Sequence, residues 1–314
     1  MQVSRRSVLL GALAAPAVLR RARAASVVRV GTLKLIHSIA PHFYARFVPD
    51  GTTVEIVPFE SPTDGKDAVV GGSVDFATFG IAAGILAAAQ RQPLVVVASA
   101  CDKGMAIVAG TNSGIDGLAG LKGRRVAIWP GSTQEVFLLD RLRMEGMSVR
   151  DITPVRVSFS EMHAALARGD VDAYVGAEPA PSVSVTTGVG RIVEFPYSTP
   201  MGSLNMVLAT SREVVETRPA LCRLMVSLQR QASLHAMAHP DEMVAMTVAK
   251  LGMQKAAVEL AVSNVELNWQ MTPLMIRESR TYADQMLALR QIRALPDFAT
   301  FLDPRFSDEV AKAA

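Results

Sequence analysis

The sequence predicts an α/β protein of two lobes, each a mostly parallel sheet flanked by helices. From Ser26 the chain alternates short β-branched runs with stretches of helical period, and parallel strands need such helical crossovers to pair. After a loop rich in Gly, Asn and Asp at 110–117 the alternation starts again, as a second unit of the same kind would. Gly-x-Val-Asp occurs in both units, as Gly72-Ser73-Val74-Asp75 and Gly169-Asp170-Val171-Asp172. Each copy lies between a helical pattern and a strand, where a helix stop and a turn are needed.

In the first unit the β-rich runs are 27–31, 54–57, 74–77 and 94–98, separated by helical patterns at 40–47, 62–70 and 81–90. The second unit reads as strand 125–128, helix 132–145, strand 155–157, helix 160–168 and strand 171–174. The run 203–209 is expected to return to the first lobe, followed by helices at 219–238, 240–251, 254–266 and 273–292. Pro219, Pro240 and Pro273 stand near their starts, where proline is tolerated. Methionines 225, 237, 243, 246, 253, 271, 275 and 286 recur at roughly helical spacing and are expected as core filler. The expected boundaries are a first lobe at 26–112, a second at 113–200, and a return strand with C-terminal helices packing on the first lobe at 201–314.

Residues 1–25 read as an export signal: a charged start, an apolar stretch at 8–19, and small residues up to Ala24-Ala25 where cleavage is expected. Arg5-Arg6 fits the twin-arginine pattern, with ordinary Sec export as the second reading. The apolar stretch falls short of the ~20 residues a spanning helix needs. The segment holds five of the 32 basic residues and none of the 29 acidic ones, so its removal turns a net charge of +3 into −2. A slightly acidic chain with no basic cluster among aromatics leaves no footprint for nucleic acid. Cys101 and Cys222 are too few for a disulfide scaffold and are expected as separate buried thiols. The histidines at 37, 42, 163, 235 and 239 form no zinc-type spacing with them, so neither a metal nor a cofactor is expected.

Several blocks in this order resemble the periplasmic solute-binding proteins of the nitrate, sulfonate and taurine ABC transporters, a family that includes thiamine-precursor binders. They are Val28-Arg29-Val30-Gly31, Gly72-Ser73-Val74-Asp75-Phe76, the stretch from Leu118 to Ala127 leading to Pro130-Gly131-Ser132-Thr133, and Ala167 to Tyr174 followed by Ala177-Glu178-Pro179. The resemblance covers roughly 27–290. It implies the type II two-lobed periplasmic binding protein fold, a periplasmic location, and a monomer that hands a small molecule to a membrane permease. Leu35-Ile36-His37-Ser38 stands where the family usually has an aromatic residue.

Open α/β sheets bind ligands beyond the carboxyl ends of their strands, so the loops there supply the candidates. His37-Ser38 follows the first strand and offers an imidazole and a hydroxyl, or a helix cap. Thr78-Phe79-Gly80 precedes a helix whose free N–H groups can hold an anionic oxygen, unless Gly80 only permits a turn. Gly131-Ser132-Thr133 offers the same in the second lobe, with N-capping as the alternative. Asp102 and Glu178 follow later strands and can accept from a ligand amine or hydroxyl, which favours an organic anion or zwitterion over a bare inorganic ion. Asn205 lies on the return strand. The lobes are expected to close on the ligand about crossings near 100–112 and 196–204.

Two other functions compete with this reading. A solute receptor for a tripartite ATP-independent transporter has the same size and form, and a branch of the family resembles pyrimidine synthases. Against an enzyme, the chain has no Gly-x-Ser-x-Gly elbow and no Gly-x-x-x-x-Gly-Lys-Ser/Thr loop.

Overall fold

The computed structural model describes residues 26–313, so the export segment read at 1–25 lies outside the described residues. In chain order the strands are β1 (Ser26–Leu33), β2 (Thr52–Phe59), β3 (Phe76–Gly80), β4 (Leu94–Lys103), β5 (Met105–Gly110), β6 (Arg125–Ile128), β7 (Thr153–Arg156), β8 (Ala173–Ala177), β9 (Gly190–Glu194), β10 (Leu204–Ser211) and β11 (Val265–Leu267). The helices are α1 (Pro62–Val70), α2 (Ile81–Ala89), α3 (Thr133–Met144), α4 (Met162–Ala167), α5 (Ala180–Thr186), α6 (Arg212–Thr217), α7 (Pro219–Ala238), α8 (Pro240–Leu251), α9 (Lys255–Ser263), α10 (Pro273–Ala288), α11 (Phe298–Phe301) and α12 (Arg305–Lys312).

The strands form two sheets. One is six-stranded in the order β11-β4-β10-β3-β1-β2, and the other is five-stranded in the order β7-β6-β8-β5-β9. β1 pairs in parallel with β2 and β3, and β6 with β7 and β8, as the crossover pattern predicts. Both sheets are nonetheless mixed. β10 runs antiparallel between β3 and β4, and β5 runs antiparallel between β8 and β9. Burial explains how the sequence reads. Every residue of β3 is buried and so are the first eight of β4, which gives continuous apolar runs. β2 lies at the sheet edge with alternating burial and carries Pro58, which an edge tolerates.

The chain leaves the first sheet at Gly104, between β4 and β5. The span 26–112 therefore ends with a strand of the second sheet, and the change of sheet comes earlier than the Gly/Asn/Asp loop suggested. Met105-Ala106-Ile107-Val108-Ala109-Gly110 reads as more of β4. Two successive left-handed residues, Lys103 (φ +61) and Gly104 (φ +73), separate the two. The predicted helix 40–47 is a 3-10 segment at Ala40–Arg46, and the predicted helix 254–266 gives way at Ser263 to β11.

Side chains on β5 alternate between two cores. Ala106 and Val108 join the large core that runs under the first sheet, whereas Ile107 and Ala109 join a smaller one with Val126, Leu138, Leu142 and Val175. The return crossing, residues 195–203, runs beside the first. The Tyr197 hydroxyl accepts from Met105 N at 2.6 Å and donates to Met105 O at 3.0 Å, and Lys103 N donates to Ser203 O at 2.7 Å. The C-terminal helices pack on the first sheet and also reach the second lobe. Asn264 Nδ2 donates to Glu178 Oε1 (2.7 Å) and Gln291 Nε2 to Glu135 Oε2 (2.9 Å).

Candidate functional site

β1, β3 and β4 end, and β10 begins, on the side of the first sheet that faces the ends of β6 and β8. Most of the sequence-predicted residues meet there in a buried polar seam. Ser38, Thr78, Ser132, Thr133 and Asn205 are all at most 1% exposed. Thr78 Oγ1 donates to Ser38 Oγ at 2.9 Å, and Ser38 Oγ in turn contacts Met206 Sδ at 3.5 Å.

Asn205 is the centre of the seam. Its Nδ2 donates to Lys103 O (2.7 Å), its Oδ1 accepts from Gln134 Nε2 (3.5 Å), and its backbone oxygen accepts from Thr133 Oγ1 (3.4 Å). Gln134, 2% exposed, joins the seam and was not predicted. Its signal was available, since it is the second residue of the helix that Gly131-Ser132-Thr133 opens.

The two helix N-termini differ. At α3 the Ser132 hydroxyl caps Glu135 N (3.1 Å), and Glu135 Oε2 reaches back to Gly131 N (2.7 Å). Gly131 itself takes φ +77 in the turn. A carboxylate thus already stands at this terminus, and burial raises its pKa. At α2 the N-cap is Gly80, which has no side chain to offer. The nearest group is Thr133 Oγ1 of the opposite lobe, which accepts from Ala82 N at 3.4 Å. Phe79 does not join the seam. Its neighbours along β3 face the seam, so the strand period turns its ring the other way, between Gly65 of α1 and Gly84 of α2.

His37 is 1% exposed, and burial pushes its pKa down to about 4. Its Nε2 lies 3.3 Å from Lys103 O. A carbonyl only accepts, so Nε2 carries the proton and Nδ1 keeps a lone pair, for which there is no partner among the described residues. Glu178 is buried beside the first crossing, its backbone N–H on Gly104 O (2.9 Å). Its carboxylate accepts from Asn264 Nδ2 and from Ser182 N (3.1 Å), so the acid caps α5 and ties the lobes together.

Asp102 is placed apart, on the outer side of the crossing, where it accepts from Asn268 Nδ2 at 3.0 Å. Burial raises its pKa to about 6, and the charge of Glu266 adds to the rise. Glu278 of α10, missed by the sequence reading, has a pKa raised to about 7, by burial first and by Asp102 second, and it lies against Gly202 in the return crossing. The folded state therefore keeps a proton that the unfolded chain loses above pH ~4.5. That stabilisation is complete below pH ~4.5 and is lost as pH rises through about 7. Glu278→Gln should melt with wild type at pH 4.5 and about 2 °C above it at pH 8, a small gain because the residue is partly exposed. Melting curves at the two pH values test this, and an equal effect at both would refute it.

The cysteines and five of the eight methionines are placed as expected for packing, while Met246 and Met253 are only partly buried. Cys101 and Cys222 are free and buried, and burial raises both thiol pKa values. Met225, Met243, Met271, Met275 and Met286 are in the core, while Met237 is 41% exposed. No described helix is long and apolar enough to cross a membrane.

The family model described as NMT1/THI5 like matches residues 45–243, most of both lobes. The chain belongs to the NMT1/THI5-like family. A relative from Escherichia coli K12, named for aliphatic sulfonates binding, is 26% identical over 199 residues, which span 63% of this chain and 62% of the relative. The alkanesulfonate-binding protein SsuA of Xanthomonas axonopodis pv. citri, solved with MOPS bound, superposes with a TM-score of 0.79 at 23% identity over 88% of this chain and 98% of that one. The periplasmic nitrate-binding protein NrtA of Synechocystis PCC 6803 gives 0.78 at 15% identity, over 92% of this chain and 89% of that one. The fold is that of the periplasmic binding proteins, as the resemblance implied, and these relatives are binding proteins.

Proposed function

We propose that this chain is the periplasmic solute-binding component of an ABC transporter, taking a small organic anion or zwitterion between its lobes and delivering it to the permease. The observation that carries this reading is the N-terminus of α2, which lacks a side-chain cap of its own and is met across the seam by the Thr133 hydroxyl. An oxygen acceptor from one lobe stands at a helix N-terminus of the other, where an anionic ligand oxygen would gain from both N–H groups and dipole. Neutral donors suit a sulfonate or carboxylate, which needs several hydrogen bonds and no paired cation. The lone pair on His37 Nδ1 supplies an acceptor for a ligand N–H, which favours an amino-sulfonate over nitrate. Opening and closing turn about Gly104 and residues 195–203, and the closed form docks on the permease. Binding and release suffice, so no covalent step is assigned.

Thermal melting of the purified protein against taurine, alkyl sulfonates, nitrate, aromatic carboxylates and thiamine-precursor pyrimidines tests the proposal. A hundredfold excess over Kd stabilises by ~2.7 kcal/mol, or about 5 °C or more for a chain of this size. We expect a selective shift with a sulfonate, reduced by Thr133→Ala. Nitrate alone shifting the melt would overturn the substrate class, and silence across the panel would remove the support for an anion between the lobes.

A further inference from the structure

The strongest unassigned chemistry lies away from the seam, where α7 ends and α8 begins. His235 stands in the last turn of α7, His239 is the non-helical residue (φ −128, ψ 70) between α7 and α8, and Glu242 follows Pro240 in the first turn of α8. One ligand atom from each lies within 4.8 Å of the others. The two imidazoles stack at 4.3 Å with their planes 24° apart, and Phe43 and Phe47 hold the His235 ring from the other side at 5.6 and 5.8 Å.

Hydrogen bonding fixes which nitrogens are available. His239 Nδ1 lies 2.8 Å from His235 O, and a carbonyl only accepts, so Nδ1 carries the proton and Nε2 keeps the lone pair. His235 Nε2 lies 2.9 Å from Arg46 Nη1, which only donates, and 3.0 Å from Glu242 Oε2, which accepts. A proton on Nε2 joins it to Glu242, whereas in the other tautomer Nε2 presents a lone pair and the Arg46 guanidinium donates to both His235 and Glu242. A metal ion would select that second tautomer.

We propose that His235, His239 and Glu242 form a binding site for a divalent transition-metal ion of the zinc class, with Arg46 occupying the cation position until the metal displaces it. Two imidazole nitrogens and a carboxylate are a zinc-type set, and ligands ~2.0–2.1 Å from a tetrahedral ion stand roughly 3.3 Å apart, close to the separation of Nε2 and Oε2. The carbonyl that orients His239 is the outer-shell partner a metal-binding histidine normally has. The C-terminal end of a 20-residue helix adds negative potential. His239 is exposed and the Glu242 side chain is 44% exposed, which leaves water to complete the coordination. The sequence reading missed the set because it spans the break between two helices.

Zinc titration of the chelator-stripped full-length protein against a chromophoric competitor tests the site. We expect one ion per chain at micromolar affinity or better, weakened at least ~10-fold in His239→Ala and in Glu242→Gln. Arg46→Ala should tighten binding, because the competing cation is gone. His239 is exposed, so its replacement leaves the fold intact, which circular dichroism verifies. Absence of stoichiometric uptake, uptake indifferent to His239→Ala, or weaker binding in Arg46→Ala would each overturn the assignment.

Discussion

Gly80→Ala should weaken solute binding more than tenfold while changing the stability of the unliganded protein by no more than about 1 kcal/mol. The backbone at Gly80 (φ −61, ψ 137) suits any residue, so no strain arises within the first lobe. The added methyl meets the second lobe instead, with Cβ 2.5 Å from Thr133 Oγ1. The lobes must back away at the point where Thr133 reaches the α2 N-terminus. Thr133→Ala in the same chain should relieve the clash, because the next atom, Thr133 Cβ, is at 3.4 Å, so the double variant should bind as Thr133→Ala alone does and no more weakly. Titration calorimetry with the solute found by melting checks both variants, and unchanged affinity in Gly80→Ala would mean that closure at this seam is not coupled to binding.

Gly104→Ala should be the most damaging single methyl in the molecule, costing about 3–5 kcal/mol. Gly104 has φ +73, which disfavours any side chain, and a Cβ there runs into the His37 ring and comes within 2.7 Å of Val265 Cγ1. His37 would have to give up Lys103 O and leave a fully buried place. Gly51 provides the control, since its φ is +82 with nothing within 4 Å of a Cβ, and Gly51→Ala should cost only about 1 kcal/mol. Urea unfolding of the two variants separates backbone strain from collision. Equal losses would show that the crowding at the crossing is absorbed.

The fold was largely legible because its strands are short, buried and separated by helices of clear period. α2 was found where it is, since a continuous apolar run leads to a glycine and then to alanine-rich helix, whereas β3, expected at 74–77, runs later, at Phe76–Gly80. β5 was missed for a physical reason. It continues the apolar run of β4, and the change of sheet depends on the left-handed dihedrals of two residues, Lys103 and Gly104. The seam was legible to the extent that strand ends could be located, which brought in Ser38, Thr78, Gly80, Ser132, Thr133 and Asn205. Phe79 was included by adjacency and excluded by the strand period. Asn264 and Gln291 could not be found, because they meet Glu178 and Glu135 only after the C-terminal helices have folded back across both lobes. The same folding back gives Glu178 an internal donor, Asn264, where a sequence presents the acid as free.

Those two amides act as latches. Closed lobes joined by Asn264–Glu178 and Gln291–Glu135 have a shut state with favourable bonds of its own, so shutting does not wait for a solute. Under the proposed function, opening would have to break both bonds, so they would slow capture and escape alike. The permease would then meet shut molecules both loaded and idle, and would have to tell them apart by what the filled seam changes at the surface.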